Sequence, residues 1–144
     1  MPDHPNPFRR FIGCDVGKAS LVFFEPGNGS TQTIANRRTD IGAFAAALDA
    51  QCLIVCEATG GHEALLLSVL SEKAIPAHRA DARKVKAFIR SFGILGKSDD
   101  IDARQLSAYA KERQASLPLW RAPDQNHQKL QALVLARQDM VADR

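Results

Sequence analysis

Four carboxylates, Asp15, Glu57, Asp99 and Asp102, stand where chemistry is possible. The stretch Lys97-Ser98-Asp99-Asp100-Ile101-Asp102-Ala103 holds three acids within four residues. A helix brings positions three apart onto one face, so Asp99 and Asp102 would point the same way and Asp100 elsewhere. Two carboxylates on one side repel unless a cation lies between them or one is protonated. The plain alternative is an acidic helix start, where capping and the dipole favour Asp. Asp15 closes a short apolar run, and Glu57 directly follows the unbroken apolar run 52–56. If those runs are neighbouring strands, the two acids meet at one sheet edge, and ligands of α/β folds gather beyond strand ends. Four convergent carboxylates suit two Mg²⁺ or Mn²⁺ ions, because hard cations take oxygen ligands. Two such ions about 3.5–4 Å apart can activate a water or hydroxyl and stabilise the leaving oxygen of a phosphodiester.

The second chemical signal is basic. Arg79, Arg83, Lys86 and Arg90 recur at spacings of four, three and four, with Lys84 and Lys97 nearby. A solvated helix face explains such a stripe as readily as phosphate contact does. His62 follows Gly60-Gly61 at a helix start, while His4, His78 and His127 have no ligand spacing. Ser20 and Ser98 lack the His/Asp partners of a nucleophile. Cys14, Cys52 and Cys56 lie in apolar runs without a CxxC spacing and read as reduced core thiols of a cytoplasmic protein.

The elements that must position these residues follow from patterning. Strands are expected near 11–16, 19–24, 31–35, 52–56 and 75–78. The first three form a meander closed by Pro26-Gly27-Asn28-Gly29. Helices are expected from Asp40 to about Leu48, His62 to Glu72, Asp81 to about Phe92, and Asp99 to about Arg113. Strands first and alternation afterward predict a mixed five-stranded sheet in a three-layer α/β domain. Met1–Arg10 reads as a flexible arm and 11–116 as the domain. The segment 117–123, broken by Pro118 and Pro123, reads as a linker to a last helix opening at Asp124. That helix carries Leu130, Leu133, Val134, Met140 and Val141 near heptad spacing and is still in progress at Arg144, which suggests a truncated chain or an intermolecular contact such as a homo-oligomer.

The 144 residues suit one domain, and the 45% hydrophobic share is enough to bury a core. A net charge of +3 is too small to argue nucleic-acid binding unless the charge is concentrated. No run approaches a membrane span of about 18 apolar residues.

Four ordered stretches carry a family resemblance. They are Ile12-Gly13-Cys14-Asp15-Val16-Gly17-Lys18-Ala19, Cys56-Glu57-Ala58-Thr59-Gly60-Gly61, Ala80-Asp81-Ala82-Arg83-Lys84-Val85-Lys86-Ala87-Phe88 and Lys97-Ser98-Asp99-Asp100-Ile101-Asp102-Ala103-Arg104. They resemble the N-terminal half of DEDD-type insertion-sequence transposases, relatives of the pilin-gene invertase. The resemblance implies a ribonuclease H-like, RuvC-like domain followed by a C-terminal helix. It implies an Asp-Glu-Asp-Asp tetrad at Asp15, Glu57, Asp99 and Asp102. Asp99 is preferred over Asp100 because the family's last two acids are three apart. It further implies Mg²⁺ or Mn²⁺, DNA as partner, transposition by DNA strand cleavage and transfer, and a bacterial cytoplasmic setting. Some relatives are guided by a bridge RNA, which makes a guide RNA a second implied partner. Family members continue through a coiled coil to a domain bearing a serine nucleophile, and no residue here matches that serine motif. The competing readings are a non-catalytic nucleic-acid-binding or assembly fragment and a RuvC-like nuclease or resolvase. A sugar-kinase-like phosphotransferase resembles only Asp15-Val16-Gly17-Lys18-Ala19-Ser20 and needs a second, glycine-rich half.

Overall fold

In the computed structural model, residues 8–91 and 101–123 are described. The first strand, β1 (Arg10–Val16), pairs antiparallel with β2 (Ser20–Phe24) through a tight turn closed by Gly17 N–H to Ser20 O at 2.8 Å. β2 pairs antiparallel with β3 (Thr31–Ala35). After helix α1 (Arg38–Ala45), β4 (Cys52–Glu57) runs parallel to β1 on its other side. Helix α2 (Ala64–Glu72) leads to β5 (Ala77–Ala80), parallel to β4. Helices α3 (Ala82–Ser91) and α4 (Ala103–Arg113) follow, the latter ending in a 3₁₀ turn over Gln114–Ser116. The sheet order is β3-β2-β1-β4-β5.

Two apolar clusters define three layers. Ile12, Cys14, Ile54 and Cys56 face Ile41, Leu66 and Leu70 of α1 and α2. Phe11, Leu53 and Val55 face Val85, Phe88, Leu106 and Tyr109 of α3 and α4. β4 is apolar without alternation because both of its faces are covered. The mixed five-stranded α/β expectation is borne out. The three cysteines are free and buried, as read. Burial pushes the Cys56 thiol up to about 12, with the nearby Glu63 carboxylate adding to it, and burial raises Cys14 too. Such thiols stay protonated and unreactive near neutral pH.

Several boundaries differ from the sequence reading. β5 begins at Ala77, not Ile75, because Pro76 has no N–H for a ladder and serves only as acceptor, taking Ile54 N–H at 3.1 Å. α1 starts at Arg38, so Asp40 lies inside its first turn. α2 starts at Ala64, two residues after His62. Phe8 is buried in the second cluster and Arg10 is already in β1, so the expected arm is packed from Phe8 onward. The expected linker is helix-free but is not a loose tether. Leu117 and Leu119 pack on the α3–α4 cluster, and Trp120 packs on the other. The Trp120 N–H donates to Ala77 O at 2.7 Å, and His78 Nδ1 bonds to Pro118 O at 2.7 Å. The segment is a strap across the β5 edge. The expected helix from Asp124, together with Phe92–Asp100, lies outside the described residues.

Among the described residues, no helix is long and apolar enough to cross a membrane.

Candidate carboxylate site at the carboxyl edge of the sheet

Register brings the first two acids together. Cys14 pairs with Cys56 in the parallel β1–β4 ladder, and Asp15 and Glu57 each stand one residue further on. Alternation puts both on the face of Phe11, Leu53 and Val55, which is the face that α3 and α4 cover. Asp15 is exposed and Glu57 half-buried.

The third acid arrives with α4. That helix lies directly on β1 at Gly13, where an added Cβ would sit 1.9 Å from Ala103 O and 2.5 Å from Ser107 N. One turn on, the Ser107 hydroxyl, itself buried, donates to Phe11 O at 2.7 Å. The helix therefore descends along β1 from Gly13 toward Phe11, with its N-terminus at the Asp15 end of the strand. Arg104 lies over the Phe24 ring at 4.8 Å, fixing the same helix end to β2.

Asp102 is the N-cap of α4. Its Oδ1 accepts from Gln105 N at 2.9 Å, and Gln105 Oε1 accepts from Asp102 N at 3.0 Å, a reciprocal capping box. This corrects the expectation of a helix starting at Asp99. Ile101 and Asp102 are not helical, so a shared helical face for Asp99 and Asp102 does not apply. Asp99 and Asp100 lie outside the described residues. Among the described residues, no three His, Cys, Asp or Glu are gathered to ligand distance. Asp15, Glu57 and Asp102 offer only oxygen donors, the kind that hard cations take.

The loop after Glu57 is built around a carboxylate that sequence reasoning missed. Glu63, 3% exposed, accepts at Oε1 from Thr59 N (3.1 Å), Thr59 Oγ1 (2.9 Å) and Gly61 N (3.2 Å). Its Oε2 faces Arg79 Nη1 at 3.7 Å. Burial alone would raise its pKa. Hydrogen bonds from its own backbone, from both donors of Thr59 and from Gly61 outweigh that and hold it below the ordinary carboxylate value. Gly60 and Gly61 take φ of +81° and +123°, a path that a residue with a Cβ resists. Asn36 Nδ2 donates to Gly17 O (2.9 Å) and His62 O (3.0 Å), joining the β1–β2 turn to this loop. The only trace of this in sequence is the Gly60-Gly61 pair.

The basic residues divide. Arg79 is a β5 residue, so it does not continue the α3 stripe. Arg79 and Lys84 line a groove of about 570 Å³ with Arg113, Tyr109 and Phe88, and Asp81 stands at the same groove. Arg83, Lys86 and Arg90 share the other flank of α3. Lys97 lies outside the described residues.

Fold and site together define an α/β domain carrying acids at the carboxyl ends of adjacent parallel strands and at the N-cap of the helix packed over them. Residues 12–144 match the family described as Transposase, the DEDD transposases of the IS110 type. The chain belongs to that family. No curated protein matches the chain.

Proposed function

We propose that this chain carries the metal-dependent DNA-cleaving part of a transposase, on a ribonuclease H-like, RuvC-like domain. The observation that carries this is the register of Asp15 and Glu57 past the Cys14–Cys56 pair, on the face where Asp102 caps α4. Asp15, Glu57, Asp99 and Asp102 would hold Mg²⁺ or Mn²⁺, in keeping with their oxygen-only chemistry. Bound there, the metal would supply an activated water or hydroxyl and charge stabilisation at a phosphodiester. The chain's own part is to hold acids on two rigid strands and one capped helix, so that little reorganisation accompanies reaction. Arg79, Arg83, Lys84, Lys86, Arg90 and Lys97 would contact phosphates of DNA and, where one is used, of a guide RNA. The helix expected from Asp124 would join copies of the chain.

The test is cleavage of a branched DNA with Mn²⁺. Wild-type chain should cut, EDTA should stop it, and Asp15→Asn should lose at least about a hundredfold in rate, the usual scale for losing an electrostatic group at a reacting centre. Equal cleavage by Asp15→Asn would sink the reading.

A further inference from the structure

Glu63 has no place in the acid set, yet it is the most enclosed carboxylate of the described fold. A buried carboxylate is costly unless its oxygens are satisfied. Here one oxygen takes the Thr59 N–H, the Thr59 hydroxyl and the Gly61 N–H, and all three come from the loop that begins one residue after Glu57. With Oε1 so occupied, Glu63 is poorly suited to be a metal ligand itself. At the near end of the loop, Ala58 N–H donates to Ala80 O at 3.1 Å, beyond the β4–β5 ladder. At the far end, Gly61 O accepts from Ala64 N at 3.1 Å and Glu63 O from Leu67 N at 3.1 Å, in the first turns of α2. The second carboxylate oxygen faces Arg79, whose strand position pairs with Cys56, the residue before Glu57. The backbone after Glu57 is thus held at Thr59 and Gly61 by this side chain, and at Ala58 by the neighbouring strand.

We propose that Glu63 is a positioning residue for Glu57: its carboxylate folds the loop 58–61 into one shape and so fixes where the Glu57 carboxylate stands at the sheet edge. Glu63 touches neither metal nor nucleic acid; it acts through the loop and through Arg79. The proposal rests on the acid-site reading above.

The test is the Mn²⁺ affinity of the 144-residue chain by calorimetry, at a temperature where circular dichroism shows each variant folded. Glu63→Ala should raise the dissociation constant about tenfold, the usual cost of losing a group behind a ligand. Glu63→Gln keeps an oxygen acceptor for Thr59 and Gly61 and should restore most of the affinity. Thr59→Val removes only the hydroxyl donor and should weaken binding in the same direction by less; should Glu63→Ala not fold, it decides alone. If the carboxylate merely stabilised the fold, its removal would lower the melting temperature and leave the affinity of the folded protein unchanged. Equal affinities for wild type, Glu63→Ala and Thr59→Val would overturn the positioning role while leaving the acid site standing. Failure of wild type to bind Mn²⁺ would overturn the acid-site reading and this proposal with it.

Discussion

Asp102 caps α4, and a substitution can separate that role from the metal role proposed for it. As N-cap it satisfies the backbone N–H of Gln105. Asn caps a helix about as well as Asp, whereas Ala costs about 1 kcal/mol. Asp102→Asn should therefore melt within a degree or two of wild type, and Asp102→Ala several degrees lower; a loss of about 1 kcal/mol moves a domain of this size by roughly 4 °C. If the carboxylate also serves a metal, Asp102→Asn should lose Mn²⁺ affinity despite its unchanged melting, which calorimetry would read directly. The capping box was legible in sequence, since Asp102-Ala103-Arg104-Gln105 has the required acceptor three residues before Gln. The pull of three clustered acids toward a helix starting at Asp99 obscured it. Glu63 was not legible, because its role depends on two left-handed glycines and on a strand that arrives later in the chain.

At the scale of elements, the closeness of α4 to β1 decides whether the acids share one edge. Gly13 makes that closeness possible, and the atoms its Cβ would strike belong to the α4 backbone, which cannot rotate away. Gly13→Ala should cost about 3 kcal/mol or more, at the high end of overpacking, as measured by urea unfolding. Cleavage should fall as well, because Asp102 moves with the helix. The split of the basic residues between two flanks of α3 gives a second expectation. Reversing charge at Arg83 and Lys86 should flatten the salt dependence of DNA binding, by about 0.9 in slope for each phosphate no longer neutralised. An unchanged slope would leave that flank as solvated surface. Element types and order were readable because the apolar period changes from strand to helix at each junction. Element ends were less so: Pro76 delays β5, and Arg79 belongs to a strand although its spacing mimics a helical stripe.

At the scale of the whole molecule, two buried groups among the described residues contribute to the response to acid. Burial lowers the His78 pKa from its ordinary 6.5, with Lys84 adding to it and the bond to Pro118 opposing it. Between 6.5 and the folded value, the unfolded chain binds a proton that the fold refuses, so stability falls as pH drops below 6.5. Glu63 has the depressed pKa of a satisfied carboxylate, so its contribution holds above 4.5 and is lost as pH falls through its folded value. Scanning calorimetry from about pH 8 to about pH 3 should show melting temperature declining in two stages. His78→Gln should remove the first stage and leave the second. The layered architecture itself was legible from a double-sided apolar β4 flanked by amphipathic helices. The closure of its last edge was not, because Pro118 and Pro123 signal only the absence of helix and say nothing of what the segment rests on.

That closure has a spectroscopic consequence. Trp120 is the single tryptophan of the chain, and it sits where the strap crosses from one face of the sheet to the other. Its backbone bond to Ala77 and the packing of its ring form and break together with the cover over β5. Intrinsic fluorescence thus responds to the uncovering of a strand edge, an event that creates a template for intermolecular sheet growth. A red shift in emission that precedes loss of helical circular dichroism on warming would mark the strap as the first part to open. Light scattering should then rise from that temperature rather than from the later global transition.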